Sequence, residues 1–340
     1  MVRAGRKPAM VDVGRLAGVS HQTVSRVVNG SQHVRPETRR KVLAAMRELG
    51  FRPNPLARGL VTGRSNTLGV VSFDTMLFGP ASTLLGIERA AHEAGYFIVI
   101  VSLKALNRAS VTEAVERLSL QGVDGILVIA PLTSASEALA GAPESLPLVA
   151  VEAGARDSVP VVEVDQFAGA SAATRHLLDL GHETVWHVAG PPDFLESEER
   201  VAGWRATLEA AGAAPPPVLV GDWTPRAGYD LGRRLAADPD VTAVFVANDQ
   251  MALGLLRAMH EAKRDIPREV SVVGFDDIPE AQYFLPPLTT VRQDFDEIGV
   301  RSLQLLVRQI QTGRRLPSSP RVEPELIVRA STAVAPVRRP

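Results

Sequence analysis

The chain has 340 residues, 45% of them hydrophobic and 22% charged, with a formal net charge of −1; it is long enough for two or three domains and too apolar for a disordered chain. It contains no cysteine, which excludes disulfides, thiol catalysis and zinc fingers, and it shows neither an export signal nor an apolar run of about 18 residues, so a cytoplasmic protein with no membrane association is expected. Residues 1–64 carry thirteen Lys and Arg against three Asp and Glu, leaving the remainder with an excess of eleven acids; a phosphate backbone attracts the first part and repels the second.

Val11, Val13, Leu16 and Ala17 form the apolar face of a first helix, Gly18 permits a turn, and Ser20 is placed to cap a second helix by accepting a backbone N–H. Val24, Val27 and Val28 recur at helical spacing and bury one side of that second helix. His21, Gln22, Ser25 and Arg26 stand on the other. A helix with short polar residues exposed at its start fits the major groove, where Gln and Arg bond base edges bidentately. Pro36 opens a third helix in which Val42, Leu43, Met46 and Leu49 are the apolar stripe, ending at Gly50. Residues 1–50 are therefore expected to be an all-α helix-turn-helix headpiece. In residues 51–64, Asn54 can cap and Pro55 can start a short helix that Gly59 weakens, which predicts a linker that becomes helical only with a partner.

From Thr67 onward, apolar runs at Leu68–Ser72, Ile98–Ser102, Gly125–Ala130, Leu148–Glu152, Val161–Asp165, Val185–Ala189, Val218–Asp222, Ala243–Asn248 and Val270–Phe275 alternate with helical stretches such as Leu84–Gly95, Ser171–Leu180 and Met251–Lys263. Continuous Val/Ile/Leu runs between helices indicate buried parallel strands in βαβ units. So many strands exceed one ordinary sheet, and an α/β body of two similar parallel-sheet lobes with a cleft between them is expected over residues 65–340. Open α/β sheets bind ligands beyond the carboxyl ends of their strands. His182, after Leu180-Gly181, is placed as a cation ending a helix. With His187, His260 and Asp276-Asp277 it invites an enzymatic reading, but no nucleophile triad order, phosphate loop or metal spacing accompanies them, so neither catalysis nor a cofactor is expected.

The chain resembles the lac repressor family of bacterial transcription regulators from about Met10 to Thr332. His21-Gln22-Thr23-Val24-Ser25-Arg26-Val27-Val28-Asn29 is similar to its recognition helix, and Arg52-Pro53-Asn54 with Leu60 to its hinge. In the body the matching blocks are Val246–Gly254, Ser271–Asp277 and Pro286–Phe295. The resemblance implies a periplasmic-binding-protein-like body, with an N-lobe of about 65–163 and 294–322 and a C-lobe of about 164–293 and 323–332. It also implies that His21 and Gln22 choose bases, that Arg26 reads a guanine, and that Thr23, Ser25 and Asn29 help hold phosphates, with Ser20 at the same DNA surface. His21 replaces the tyrosine of the family's archetype, and its imidazole can either accept or donate there. Asn54, Ala57 and Leu60 would serve the hinge helix. Leu60 either wedges a central base step open or packs on the body.

For the cleft the resemblance implies a small polar constellation of Arg200, Trp223, Asn248, Asp276, Gln293 and Phe295, in which an aromatic face stacks on a pyranose and charged groups bond paired hydroxyls. Core packing is the alternative for Trp223. Phe73, Glu152 and Glu196 replace smaller residues of the archetype and narrow the pocket. The implied partners are a pseudopalindromic double-stranded operator, a small sugar for which a β-galactoside is the candidate class, and a second copy of the chain through Leu77–Ile87 and Leu118. The archetype's C-terminal heptad helix has no counterpart before Val337-Arg338-Arg339-Pro340, so a homodimer is expected. Ligand acts either by releasing DNA or by strengthening its binding; the two-lobed body also fits a sugar receptor for transport, against which the basic headpiece argues.

Overall fold

The structure is a computed structural model that describes residues 8–28, 33–51, 64–73, 77–103, 107–139, 141–154 and 159–337. Asn29, Asn54, Ala57 and Leu60 lie outside the described residues. The chain divides into two compact units that meet between Asn66 and Thr67.

The first unit holds α1 (Met10–Ala17), α2 (His21–Val28) and α3 (Pro36–Glu48). The Asp12 carboxylate accepts the Ala9 N–H at 2.9 Å to begin α1, and Gly18 ends it at φ 66°. Ser20 Oγ accepts the Thr23 N–H at 3.2 Å, capping α2 as expected from sequence. Val13, Val24, Val27, Val42 and Ala45 form the core. Three apolar assignments are corrected, beginning with Val11 and Leu16, which are 54% and 46% exposed. A Cβ on Gly14 would lie 2.8 Å from the Val19 carbonyl oxygen, so α1 seats its Gly14 flank on the turn and rotates Val11 and Leu16 outward. Leu43 is likewise exposed, because Val42 and Ala45 supply the inner face of α3.

In the second unit one sheet takes β1 (Thr67–Phe73), β2 (Phe97–Leu103), β3 (Gly125–Ile129), β4 (Leu148–Val151) and β5 (Val161–Val162) in the order β2-β1-β3-β4-β5. All its neighbours pair in parallel. Helices α4 (Phe78–Glu93), α5 (Arg108–Leu120) and α6 (Thr133–Leu139) connect these strands. A second sheet takes β6 (Trp186–Ala189), β7 (Leu219–Val220), β8 (Ala243–Val246), β9 (Ser271–Asp276), β10 (Thr289–Arg292) and β11 (Glu325–Ile327) in the order β11-β10-β9-β8-β6-β7. Its helices are α7 (Gln166–Asp179), α8 (Leu195–Ala210), α9 (Pro225–Ala236) and α10 (Asp249–Glu261). Strands β3, β4 and β8 are buried along their whole length, which is why they read as unbroken apolar runs. The two short strands that the apolar runs did not announce are β10 and β11, and β11 pairs antiparallel at the sheet's edge.

After β10 the chain returns to the first lobe as α11 (Phe295–Thr312), which packs against α4. The segments that pass between the lobes are tied together: Val322 donates its N–H to the Glu163 carbonyl and accepts one from Asp165, both at 2.9 Å. Arg321 forks onto Glu163 at 2.7 Å and Glu199 at 2.6 Å. Two sequence expectations are corrected in this unit. Leu118 is core, directly under Gly69, whose added Cβ would meet it at 2.8 Å, so it offers no surface for a second copy. His182 is buried rather than a cation ending a helix: its ring bonds Thr242 Oγ1 at 3.0 Å and Ser271 Oγ at 3.1 Å, and burial lowers its pKa. No described helix is long and apolar enough to cross a membrane.

Candidate functional site

Helix α2 turns Val24 and Val27 into the headpiece core, and this fixes what its other side shows. His21, Gln22 and Arg26 are exposed, with Thr23 and Ser25 at the margin of that face. Ser20 and Thr23 hydroxyls lie 3.0 Å apart at the start of the helix. The result is a short row of hydrogen-bonding groups beginning at a helix N-terminus, where backbone N–H groups also favour anionic partners.

The body has a cleft between its lobes, lined from one side by Leu77, Phe78, Gly79, Pro80, Thr83 and Phe295, and from the other by Phe194, Glu196, Arg200, Trp223, Asn248, Asp276 and Gln293. Helix α8 supplies Glu196, Arg200 and Trp204 one turn apart along one face. Arg200 is only 2% exposed. Its Nε donates to Gln166 Oε1 at 2.9 Å and its Nη1 to the Ala247 carbonyl, while Nη2 lies 3.9 Å from both Glu196 and Asp276. The guanidinium also stacks 3.9 Å over the Phe275 ring and 5.7 Å from that of Trp223. Gln166 Nε2 donates to Gln293 Oε1 at 2.8 Å, and Gln293 Nε2 donates to Asp276 Oδ1 at 2.7 Å. Arg200, Gln166, Gln293 and Asp276 thus close a buried polar circuit, and Gln166 and Gln293 each stand beside a segment that passes between the lobes.

Strand ends and helix starts position the other groups. Asn248 caps α10 through the Met251 N–H at 2.9 Å and donates to the Trp223 carbonyl at 3.1 Å. Trp223 meets Phe194 edge-on at 5.6 Å, and its indole fits only because residue 190 is glycine: a Cβ there would meet the ring at 2.1 Å. Glu152, Trp223, Asp276 and Asp277 all adopt positive φ, at 54°, 70°, 106° and 52°. Strain of about 1–3 kcal/mol at such positions persists where surrounding bonds over-determine it. Asp277 receives Arg292 and Arg329, each at 2.7 Å, and buried Asp249 accepts the Ile278 N–H at 2.9 Å and the Thr290 hydroxyl at 2.6 Å.

Residues 9–54 match the model for bacterial regulatory proteins of the lacI family, and residues 174–332 match that for a periplasmic binding protein-like domain. Among curated relatives, the lactose operon repressor of Escherichia coli (strain K12) is 32% identical over 329 residues, covering 96% of this chain and 91% of that protein. The chain belongs to the lacI family. The transcriptional regulator CelR of Thermobifida fusca is 37% identical over 346 residues, covering 96% of this chain and 98% of CelR. A crystal structure of the lac repressor dimer bound to operator and the anti-inducer ONPF superposes with a TM-score of 0.87 at 32% identity, covering 96% of this chain and 100% of that one. A CelR–cellobiose complex superposes with a TM-score of 0.69 at 34% identity, covering 95% and 99%. A member of this family is a transcription regulator rather than an enzyme.

In this lacI-family chain the cavity gathers Glu196, Arg200, Trp223, Asn248, Asp276, Gln293 and Phe295, all singled out from sequence. Phe73 and Glu152 are not among its lining residues. Phe73 is half-buried against the core, and Glu152 lies behind the lining with Oε1 accepting the Val164 N–H at 3.2 Å. Phe78, Phe194 and Gln166 were not anticipated; the aromatic residues carry a weak signal, since each immediately precedes or begins a helix facing a strand end.

Burial dominates the electrostatics. It pushes the Asp276 carboxyl up to about 7, Arg200 opposing and Glu196 reinforcing the shift. Burial likewise raises Glu196 against the pull of Arg200, and raises Glu152 well above the usual range with help from Glu196 and Glu163. The native state therefore holds protons that the unfolded chain releases near 3.8, so stability contributed by protonated Asp276 is complete below that pH and lost as pH rises toward about 7. Thermal unfolding of the ligand-free protein is expected to show falling stability across this window, by up to about 1.4 kcal/mol per pH unit for each such proton. Asp276→Asn should flatten the profile; an unchanged slope would show that Asp276 is not its source.

Proposed function

We propose that this lacI-family regulator is a homodimeric repressor that binds a pseudopalindromic operator and is released from it by a small sugar, with a β-galactoside as the first class to test. The observation that carries the reading is the lining of the cleft: an arginine, two amides and two carboxylates converge with four aromatic rings between the lobes. Rings suit the apolar face of a pyranose, and paired polar groups suit its hydroxyls. Because both lobes line the cavity, an occupant biases their relative arrangement. It moves the equilibrium only by binding one arrangement more tightly, and a differential of a few kcal/mol suffices.

The headpiece supplies the other half. Gln22 from the first turn of α2 and Arg26 from its last reach base edges, with Ser20, Thr23 and Ser25 at phosphates, and His21 sets a base preference of its own. Asn29 and the hinge residues Asn54, Ala57 and Leu60 complete that surface in the proposal. For the dimer, Phe97, Val99 and Ile100 on the free edge of β2 and Leu85 on α4 are exposed apolar groups in the first lobe, and Leu253, Tyr283 and Leu285 are exposed in the second. Apolar surface of this extent fits burial against a two-fold-related copy.

The deciding experiment titrates the protein against DNA from upstream of its own gene, at fixed salt, with and without galactosides and glucosides. Specific binding released by one sugar is the expected result. Binding that appears only with ligand makes the protein a corepressed regulator, and sugar binding without specific DNA binding overturns the operator reading in favour of a receptor. In the same assay Gln22→Ala and Arg26→Ala should each lose about 1–3 kcal/mol of operator discrimination while salt-dependent binding to unrelated DNA persists.

A further inference from the structure

The cavity's polar groups are unequally spent. Arg200 gives Nε to Gln166 and Nη1 to the Ala247 carbonyl, and its Nη2 sits between two carboxylates. Asn248 gives Nδ2 to the Trp223 carbonyl at 3.1 Å and to Gln250 Oε1 at 3.0 Å, and Gln293 gives Nε2 to Asp276 at 2.7 Å. The protein's own acceptors take these donors, except Arg200 Nη2, which at 3.9 Å is too far from either carboxylate to hydrogen-bond. Glu196 accepts no hydrogen bond from the described residues and Asp276 accepts one, at Oδ1, so two carboxyl groups with open acceptor sites share the cavity with one guanidinium. Trp223, nine-tenths buried in the wall, carries an indole Nε1–H with no partner among the described residues, a donor open to an acceptor in the cleft.

Charge is out of balance in the same place. Among the described residues, Glu196 and Asp276 line the cavity with Glu152 behind them, against the single guanidinium of Arg200. A neutral sugar can donate hydroxyl hydrogens to these oxygens but brings no charge that would let the buried carboxyl groups ionise beside a single guanidinium. An ammonium supplies both donors and charge. We infer, on the reading of this cleft as a sugar site, that the effector carries a basic amine, an aminosugar whose ammonium is taken by Glu196 and Asp276 while its ring packs on the aromatic wall and a ring hydroxyl accepts from Trp223. Burial raises all three carboxyl pKa values in the empty cleft, and a cationic occupant returns them to the ionised form that holds it.

Calorimetric titration of the full-length protein with galactosamine, galactose and N-acetylgalactosamine, and with the corresponding three gluco compounds, tests this. One free amine should bind at least tenfold more tightly than its neutral parent and its acetylated form, which keeps the nitrogen but loses the charge. Glu196→Gln, close to isosteric and relieved of a buried charge, should fold normally and reduce that preference to less than threefold. Equal affinity for amine and neutral parent, or a preference that survives in Glu196→Gln, overturns the inference and leaves the sugar-site reading intact. Absence of binding by all six compounds overturns both.

Discussion

Replacing Arg200 with methionine is expected to destabilise the body by about 3–5 kcal/mol, the usual cost of stripping one partner from a buried ion pair. The side chain is 2% exposed and holds Gln166, the Ala247 carbonyl and the Phe275 ring at once, while Glu196 and Asp276 flank its Nη2. Methionine restores much of the volume and none of the donors. Two carboxyl groups then face each other without a cation, and two buried acceptors lose their N–H. Urea unfolding of the two proteins gives the difference directly. Its pH dependence identifies the cause: the penalty should shrink toward acidic pH, where protonation removes the repulsion that arginine had compensated, and a pH-independent loss would point to packing alone. Arg200→Lys is the informative companion, since it keeps the charge but cannot bond Gln166 and Ala247 along the same rigid fork. Both variants should lose effector response even under conditions where they remain folded.

How much of this site is legible in sequence depends on whether a residue's role is local. Ser20 before a helix start and Gly18 in its turn are fixed by neighbours a few positions away, and both act as their chemistry dictates. The buried strands announce themselves because burial on both faces requires apolar residues throughout. Helix orientation is less legible: α1 offers apolar residues on more than one side, and only the approach of Gly14 to the turn decides that Val13 goes in while Val11 and Leu16 stay out. Strand β11 spans Glu325–Ile327, too few residues to establish a period. Gln166 is the least visible of all. Nothing about a glutamine after Asp165 signals that it bridges Arg200 to Gln293, residues 34 and 127 positions away, because that role exists only once the lobes are folded. The burial of His182 is hidden for the same reason, since its partners are Thr242, just before β8, and Ser271, at the start of β9.

The contact between α4 and α11 carries the other large expected effect. These helices meet at backbone distance: a Cβ on Gly86 would lie 2.3 Å from the Phe295 carbonyl oxygen, and one on Gly299 would lie 2.2 Å from the Gly86 carbonyl carbon. No rotamer relieves a clash with backbone, so Gly299→Val must push the helices apart, at a cost near or above the roughly 3 kcal/mol upper range for overpacked cores. The consequence reaches the effector site. Helix α4 begins with Phe78 and α11 with Phe295, and their rings meet edge-on at 5.8 Å in the cavity wall. Separating the helices parts the rings, so sugar affinity should fall together with stability. Gly79→Ala provides the contrast in the same helix and the same wall: its Cβ meets nothing within 4 Å among the described residues, and alanine gains up to about 1 kcal/mol of helix propensity. That variant should be as stable as the parent or more so, with any change in effector affinity arising from a narrower cavity. If Gly299→Val unfolds no more readily than Gly79→Ala, the close crossing of α4 and α11 does not hold this lobe together.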